Sequence, residues 1–168
     1  PNENVELFPS IEILAHEETS PGREVLVNRA KVFESIYKAK QSIVVLPIKA
    51  LVEKLIPKNE YFRYVTTLRK GQNVDFDELT ERLVLLGYDR VDMVEEKGQF
   101  SVRGGLIDIF PLTSDQPVRI EFFGDEIESM RGFDPDTQRS KENVEECFLM
   151  PAREFLLPHD KLHQGLEL

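Results

Sequence analysis

The sequence predicts an α+β protein: an antiparallel β-sheet module with one covering helix, attached to a partial α/β segment. Three observations carry this prediction. Residues 118–123 (VRIEFF) alternate strictly, and residues 100–103 (FSVR) repeat the alternation, which is the period of a strand. Residues 75–87 carry a capping box, an apolar stripe and a glycine stop, which together describe one helix. Residues 20–57 run helix, strand, helix after an opening strand, the order of a parallel crossover that is too small to make a domain.

In chain order, residues 5–8 form a short apolar strand ended by Pro9. Ser20 is an N-cap with Pro21 at the first helical position. Val25, Arg29, Val32, Phe33, Ile36 and Tyr37 then recur at helical spacing, with Lys38 and Lys40 complementing the helix dipole. Residues 42–47 (SIVVLP) are an uninterrupted apolar run, expected of a strand covered on both faces, and residues 50–56 form a second short helix stopped by Pro57. Left exposed, residues 43–46 would invite pairing or dimerisation.

After Pro57 the pattern changes. Residues 61–68 (YFRYVTTL) are aromatic and β-branched and read as a strand entering a new module. Asp75 with Glu78 caps the helix whose Leu79, Leu83 and Leu86 face a core, and Gly87 stops it. Residues 88–94 form a strand that passes through a hairpin turn at 95–98 (EEKG) into the strand at 100–104, where Gly104 and Gly105 suggest a bulge before residues 106–110. Residues 118–123 and 126–133 pair through Gly124 and Asp125. A last strand at 147–150 precedes a return at 151–155 and a polar, frayed tail. The division expected is 1–57 for the partial lobe, 58–151 for the sheet module and 152–168 for the return and tail.

On the strand at 118–123, Val118, Ile120 and Phe122 share the core side, and Arg119, Glu121 and Phe123 share the other. Phe123 follows Arg119 by roughly 13 Å of extended chain. Ser101 and Arg103 also point away from Phe100 and Val102. If the strands neighbour each other across the turn-rich 111–117 link, Arg103, Arg119 and Phe123 converge on one outward patch, of the residue types that anchor protein interfaces. The plainer reading buries Phe123 under a neighbouring lobe and pairs the arginines with nearby acids.

Composition narrows the function. With 168 residues, 40% hydrophobic and 31% charged, the chain resembles an ordinary globular protein. It has no apolar run of membrane-spanning length and no amino-terminal signal pattern, so a cytoplasmic location is expected. A net charge of −10 disfavours a nucleic-acid surface and favours a protein partner, since phosphate binding depends on Lys and Arg. Cys147 is alone, which excludes an internal disulfide and a multi-cysteine zinc site and suggests a buried hydrophobe. His16, His159 and His163 lack a ligand or triad pattern, and Glu121, Asp125, Glu126 and Glu128 read as a negative rim. No G-x-x-x-x-G-K-[ST] loop is present to hold ATP, and the glycines fit turns and caps. No metal and no cofactor are expected in this segment.

The words RGG, DIFP, RIEFFGDEI, FDP and QRS, in that order between residues 103 and 140, resemble the hallmark segment shared by bacterial transcription-repair coupling factors (Mfd) and the excision-repair helicase subunit UvrB. The resemblance implies that residues 58–151 are a UvrB-like module that docks the damage-recognition ATPase UvrA, through Arg103, Arg119 and Phe123. It implies that residues 1–57 belong to a helicase-lobe-like nucleotide fold and that the segment itself is a non-catalytic adaptor. For a full-length coupling factor it further implies an ATP- and Mg-dependent translocase acting on double-stranded DNA, an RNA polymerase partner, and a carboxy-terminal module that masks the UvrA-binding face. A UvrB fragment contacting UvrA and damaged DNA is the alternative, disfavoured because residues 8–21 lack UvrB's long tyrosine-rich insertion. A remnant nucleotide-binding lobe with hydrolase activity is the enzymatic alternative.

Overall fold

The computed structural model describes residues 5–11 and 22–154. The elements are β1 (Val5–Leu7), α1 (Arg23–Tyr37), β2 (Ile43–Val45), α2 (Ile48–Leu51), α3 (Lys58–Phe62), β3 (Thr66–Arg69) and α4 (Phe76–Leu85). They continue with β4 (Asp89–Arg90), β5 (Gln99–Arg103), β6 (Leu106–Ile109), β7 (Val118–Phe123), β8 (Glu126–Phe133), β9 (Ser140–Asn143) and β10 (Glu146–Leu149). Six strands form the main sheet in the order β4-β5-β6-β7-β8-β9, antiparallel except for the β4–β5 pair. Two smaller ladders accompany it: β1 with β2, parallel, and β3 with β10, antiparallel.

One face of the main sheet carries the core. Phe100, Ile107, Ile109, Ile120 and Ile127 are fully buried, as the strand alternation requires. The α4 helix closes over this core with Leu79, Leu83 and Leu86. Its start is fixed by the Asp75 carboxylate, which accepts the Glu78 backbone N–H at 2.8 Å, and its end by Gly87 at φ +85°. The Phe76 ring meets Phe122 edge-on at 5.1 Å, so the first turn of the helix is tied to β7.

The α1 helix serves two clusters. Ala30 joins the main core, whereas Val32 joins Phe8 and Ala50 in a smaller one beside β1 and β2. Its N-cap is Gly22, without a side-chain bond, and Lys38 is its C-cap. Ser20 and Pro21, expected to begin this helix, lie outside the described residues, as do the three histidines and most of the expected tail.

Several expectations are corrected. Residues 61–68 are not one strand: Pro57, with φ −54° and ψ 137°, launches α3, and only residues 66–69 are extended. Tertiary packing outweighs the β-propensity here, because the short helix turns Tyr61 inward beside Phe33, with its hydroxyl donating to the Pro151 carbonyl at 3.2 Å. The second short helix is α2, at residues 48–51 rather than 50–56. Residues 88–94 supply only the two-residue β4, which runs parallel to β5 and so makes no hairpin through 95–98. The reason is Val94, fully buried with Phe110 and Phe133, which draws the chain across the sheet before it re-enters in the same direction.

Gly104 and Gly105 are a two-residue hairpin turn, not a bulge, because Arg103 pairs directly with Leu106 and Gly104 takes φ +58°. A register shift does occur between Glu121 and Phe122 along the β7–β8 ladder. The β9 strand, all exposed and polar, carries no alternation that would announce it. The final strand begins one residue early, at Glu146, and pairs with β3 instead of extending the main sheet. The apolar run at 42–47 is not covered on both faces: Ile43 and Val45 are half exposed, beside exposed Val5 and Leu7, because no element among the described residues lies over that side of β2.

Candidate protein interface

The second face of the main sheet carries the residues singled out from sequence. Directly paired residues in a ladder share a face, so the register places Ser101, Asp108, Arg119 and Arg131 in one row across β5 to β8, and Arg103, Leu106, Glu121 and Ser129 in the parallel row on that face. Phe123 continues the β7 side of that face to the tip of the β7–β8 hairpin, where Gly124 turns the chain at φ +61°. The three candidates therefore lie on one side of the sheet, with β6 inserted between β5 and β7.

Two of the three are joined by an acid that sequence reasoning did not single out. Asp108 is 1% exposed and accepts hydrogen bonds from both arginines. Arg119 Nε donates to Oδ1 at 2.7 Å and its NH2 donates to Oδ2 at 2.9 Å, while Arg103 NH2 donates to Oδ2 at 2.7 Å. A buried carboxylate is costly without such partners, and the bidentate fork supplies them. The Asp108 hydrogen bonds push the Arg119 guanidinium above its ordinary pKa, against the opposing pull of desolvation. The signal in the sequence was present: Asp108 interrupts the apolar run LIDIF at 106–110, and a charge in a buried strand requires a counter-charge.

The end of this face away from Phe123 is partly covered. The Arg119 guanidinium lies over the Phe133 ring at 4.8 Å and its NH1 donates to the Gln138 carbonyl at 3.4 Å. Gln138 in turn donates from Nε2 to the Val94 carbonyl at 3.0 Å, so the 91–98 and 134–139 segments meet there. The outward patch expected from the alternation is therefore only partly open to solvent. Arg119 is 20% exposed at its side chain, whereas Arg103 is 51% exposed and Phe123 78%. No hydrogen bond, ion pair or ring contact among the described residues joins Phe123 to either arginine.

The acids expected to form a loose rim are also partly engaged. Glu121 accepts from Ser129 Oγ at 2.7 Å and from Arg131 NH2 at 3.2 Å. No group of three or more His, Cys, Asp and Glu side chains among the described residues could hold a metal ion. Cys147 is buried, and burial pushes its thiol up to about 12, which leaves it protonated and unreactive at neutral pH. No helix among the described residues is long and apolar enough to cross a membrane.

This face therefore carries two arginines hydrogen-bonded to one buried carboxylate and, at the hairpin tip, an exposed phenylalanine. Residues 66–155 match the UvrB interaction domain family. The chain is 38% identical over 154 residues to the transcription-repair-coupling factor of Haemophilus influenzae, covering 92% of this chain and 13% of that protein. It is 36% identical over 164 residues to the one of Bacillus subtilis, covering 98% and 14%. Against the Staphylococcus aureus USA300 protein the identity is 35% over 153 residues, covering 91% and 13%. The chain thus spans about an eighth of the length of the curated relatives it matches, and it belongs to the UvrB interaction domain family.

Proposed function

We propose that this chain is a non-catalytic protein-interaction module of a transcription-repair coupling factor and that it recruits UvrA to sites of stalled RNA polymerase. The observation that carries the reading is Phe123, which stands 78% exposed at a hairpin tip on the face that also presents Arg103 and Arg119. A large exposed phenylalanine on the same sheet face as ordered guanidinium groups brings together the residue types of an interface hot spot. The arginines meet acidic groups of the partner and Phe123 enters an apolar pocket. Residues 58–151 form the binding module and residues 1–57 belong to a flanking helicase-like lobe, while the division 152–168 comprises the return, whose described residues 152–154 reach α1 through Glu154, and the tail.

The whole protein, on this reading, is a cytoplasmic ATP- and Mg-dependent translocase on double-stranded DNA. It binds RNA polymerase and masks the UvrA-binding face with a carboxy-terminal module until it is activated; those parts lie outside this segment. Calorimetric titration of the chain into purified UvrA tests the reading, with Phe123→Ala beside the parent. Binding by the parent that weakens in the folded variant supports it. A folded parent that gives no heat of binding to UvrA overturns it.

A further inference from the structure

We infer that Asp108 is the positioning residue of this interface: one buried carboxylate that holds both Arg103 and Arg119 in the orientation a partner meets. The inference rests on the UvrA-docking reading. Asp108 sits at the centre of β6, between the strands that carry the two arginines, and it is the hydrogen-bonded counter-charge of both. Arg119 gives it two nitrogens and keeps NH1 on the Gln138 carbonyl, so this side chain is fixed at several points. Arg103 gives it NH2 and keeps Nε and NH1 without a described partner, on a side chain that is half exposed.

Together the three groups carry a net charge of +1, concentrated at the exposed end of Arg103. A partner then binds a guanidinium that is already ordered, and the ordering cost of a flexible side chain, which otherwise opposes association, is reduced. Two effects of removing the Asp108 charge oppose each other. Neutralisation makes the patch more positive and accelerates encounter with an acidic partner, whereas loss of the anchor lets both arginines leave their bound orientation and speeds dissociation. The second effect is the larger, because encounter rates vary little within one interface and affinity differences are carried mainly by dissociation.

The test measures association and dissociation rates of the chain on immobilised UvrA for the parent and for Asp108→Asn, with the folded fraction of each set by circular dichroism. The expected result is a dissociation rate raised about tenfold, with association at low salt unchanged or faster, a split that simple loss of folded protein does not produce. A parent that binds beside a folded Asp108→Asn chain with the parent's dissociation rate overturns the inference alone. A folded parent that does not bind overturns the docking reading with it.

Because Asp108→Asn can compromise folding, the parent supplies a second readout: solvent exchange of the arginine Nε–H protons followed by nuclear magnetic resonance. Arg119 Nε–H is expected to exchange at least tenfold more slowly than that of the exposed Arg63, both free and with UvrA bound. Exchange as fast as Arg63, or loss of protection on binding, overturns the inference.

Discussion

Arg29, near the middle of α1, hydrogen-bonds both carboxylate oxygens of Glu154, 125 residues further along the chain, with NH2 to Oε2 at 2.7 Å and Nε to Oε1. The same guanidinium donates to Glu53 Oε2 at 2.8 Å and to the Pro9 carbonyl at 2.6 Å, and it lies over the Phe8 ring. Burial alone would lower its pKa; the hydrogen bonds and charges of Glu154 and Glu53 outweigh that and raise it. A residue first read as one position of an apolar helix face is therefore the polar centre joining β1, α1, the segment after α2 and the last described residues.

Glu154→Ala is expected to destabilise the chain by about 3 kcal/mol, since breaking a buried ion pair leaves a buried charge under-compensated. The midpoint of urea unfolding measures it. An unchanged midpoint would mean that the return of residues 152–154 onto α1 contributes nothing to stability.

Truncating two of the three interface candidates separates binding from folding. Phe123→Ala should leave stability within about 0.5 kcal/mol of the parent, because the ring is exposed, while weakening UvrA binding by about 2 kcal/mol. Arg119→Ala should cost about 2 kcal/mol of stability as well as affinity, because Asp108 would keep Arg103 as its single charged partner. Thermal unfolding read beside calorimetry tests the contrast; equal stability losses for the two variants would contradict it.

Asp75→Ala is expected to cost about 1 kcal/mol, the usual contribution of a side-chain N-cap, through loss of the bond from the Glu78 N–H. Chemical denaturation is the check, with Asp75→Ser expected to recover most of the loss.

The Cys147 thiol should be inert to a thiol-specific chromophoric reagent at pH 8 in the native chain and react fully in denaturant. Burial both blocks access and keeps the sulfur protonated, with its pKa near 12. Rapid native labelling would show that the β3–β10 ladder opens readily.

Asp134 gives the acid-side prediction. Its carboxylate accepts the Thr137 backbone N–H at 3.0 Å and the Thr137 hydroxyl at 3.1 Å, with Lys141 Nζ at 3.2 Å, and these hold its pKa below the ordinary 3.8. A depressed carboxylate pKa stabilises the fold above the unfolded value, and that contribution is lost as the pH falls through the folded one. Carbon-detected titration should place the midpoint below 3.8, and Thr137→Ala should move it upward.

Much of the sheet was legible because its signals are local. The alternation of 118–123, the Asp75 cap and the Gly124–Asp125 turn each depend on residues within a few positions of one another, and all three stand where they were read. The misreadings arose where a distant contact outweighed the local pattern. Tyr61 turned inward to reach Phe33 and Pro151, which made a helix from an apparent strand. Val94 packed with Phe110 and Phe133, which made β4 parallel.

The candidate interface divides in the same way. Its outward residues follow from the two-residue period of extended chain, so the facing of Arg103, Arg119 and Phe123 could be read along each strand separately. That Arg103 and Arg119 meet at Asp108 depends on the Gly104–Gly105 turn reversing the chain and on the register that sets Asp108 opposite Arg119. Sequence alone determined the periodicities, caps, net charge and family words, because these are properties of neighbouring residues. Only the tertiary structure decided which strand lies between which, which acid both arginines share and which apolar side of β2 is left uncovered, because pairing across the sheet is set by packing between segments far apart in the chain.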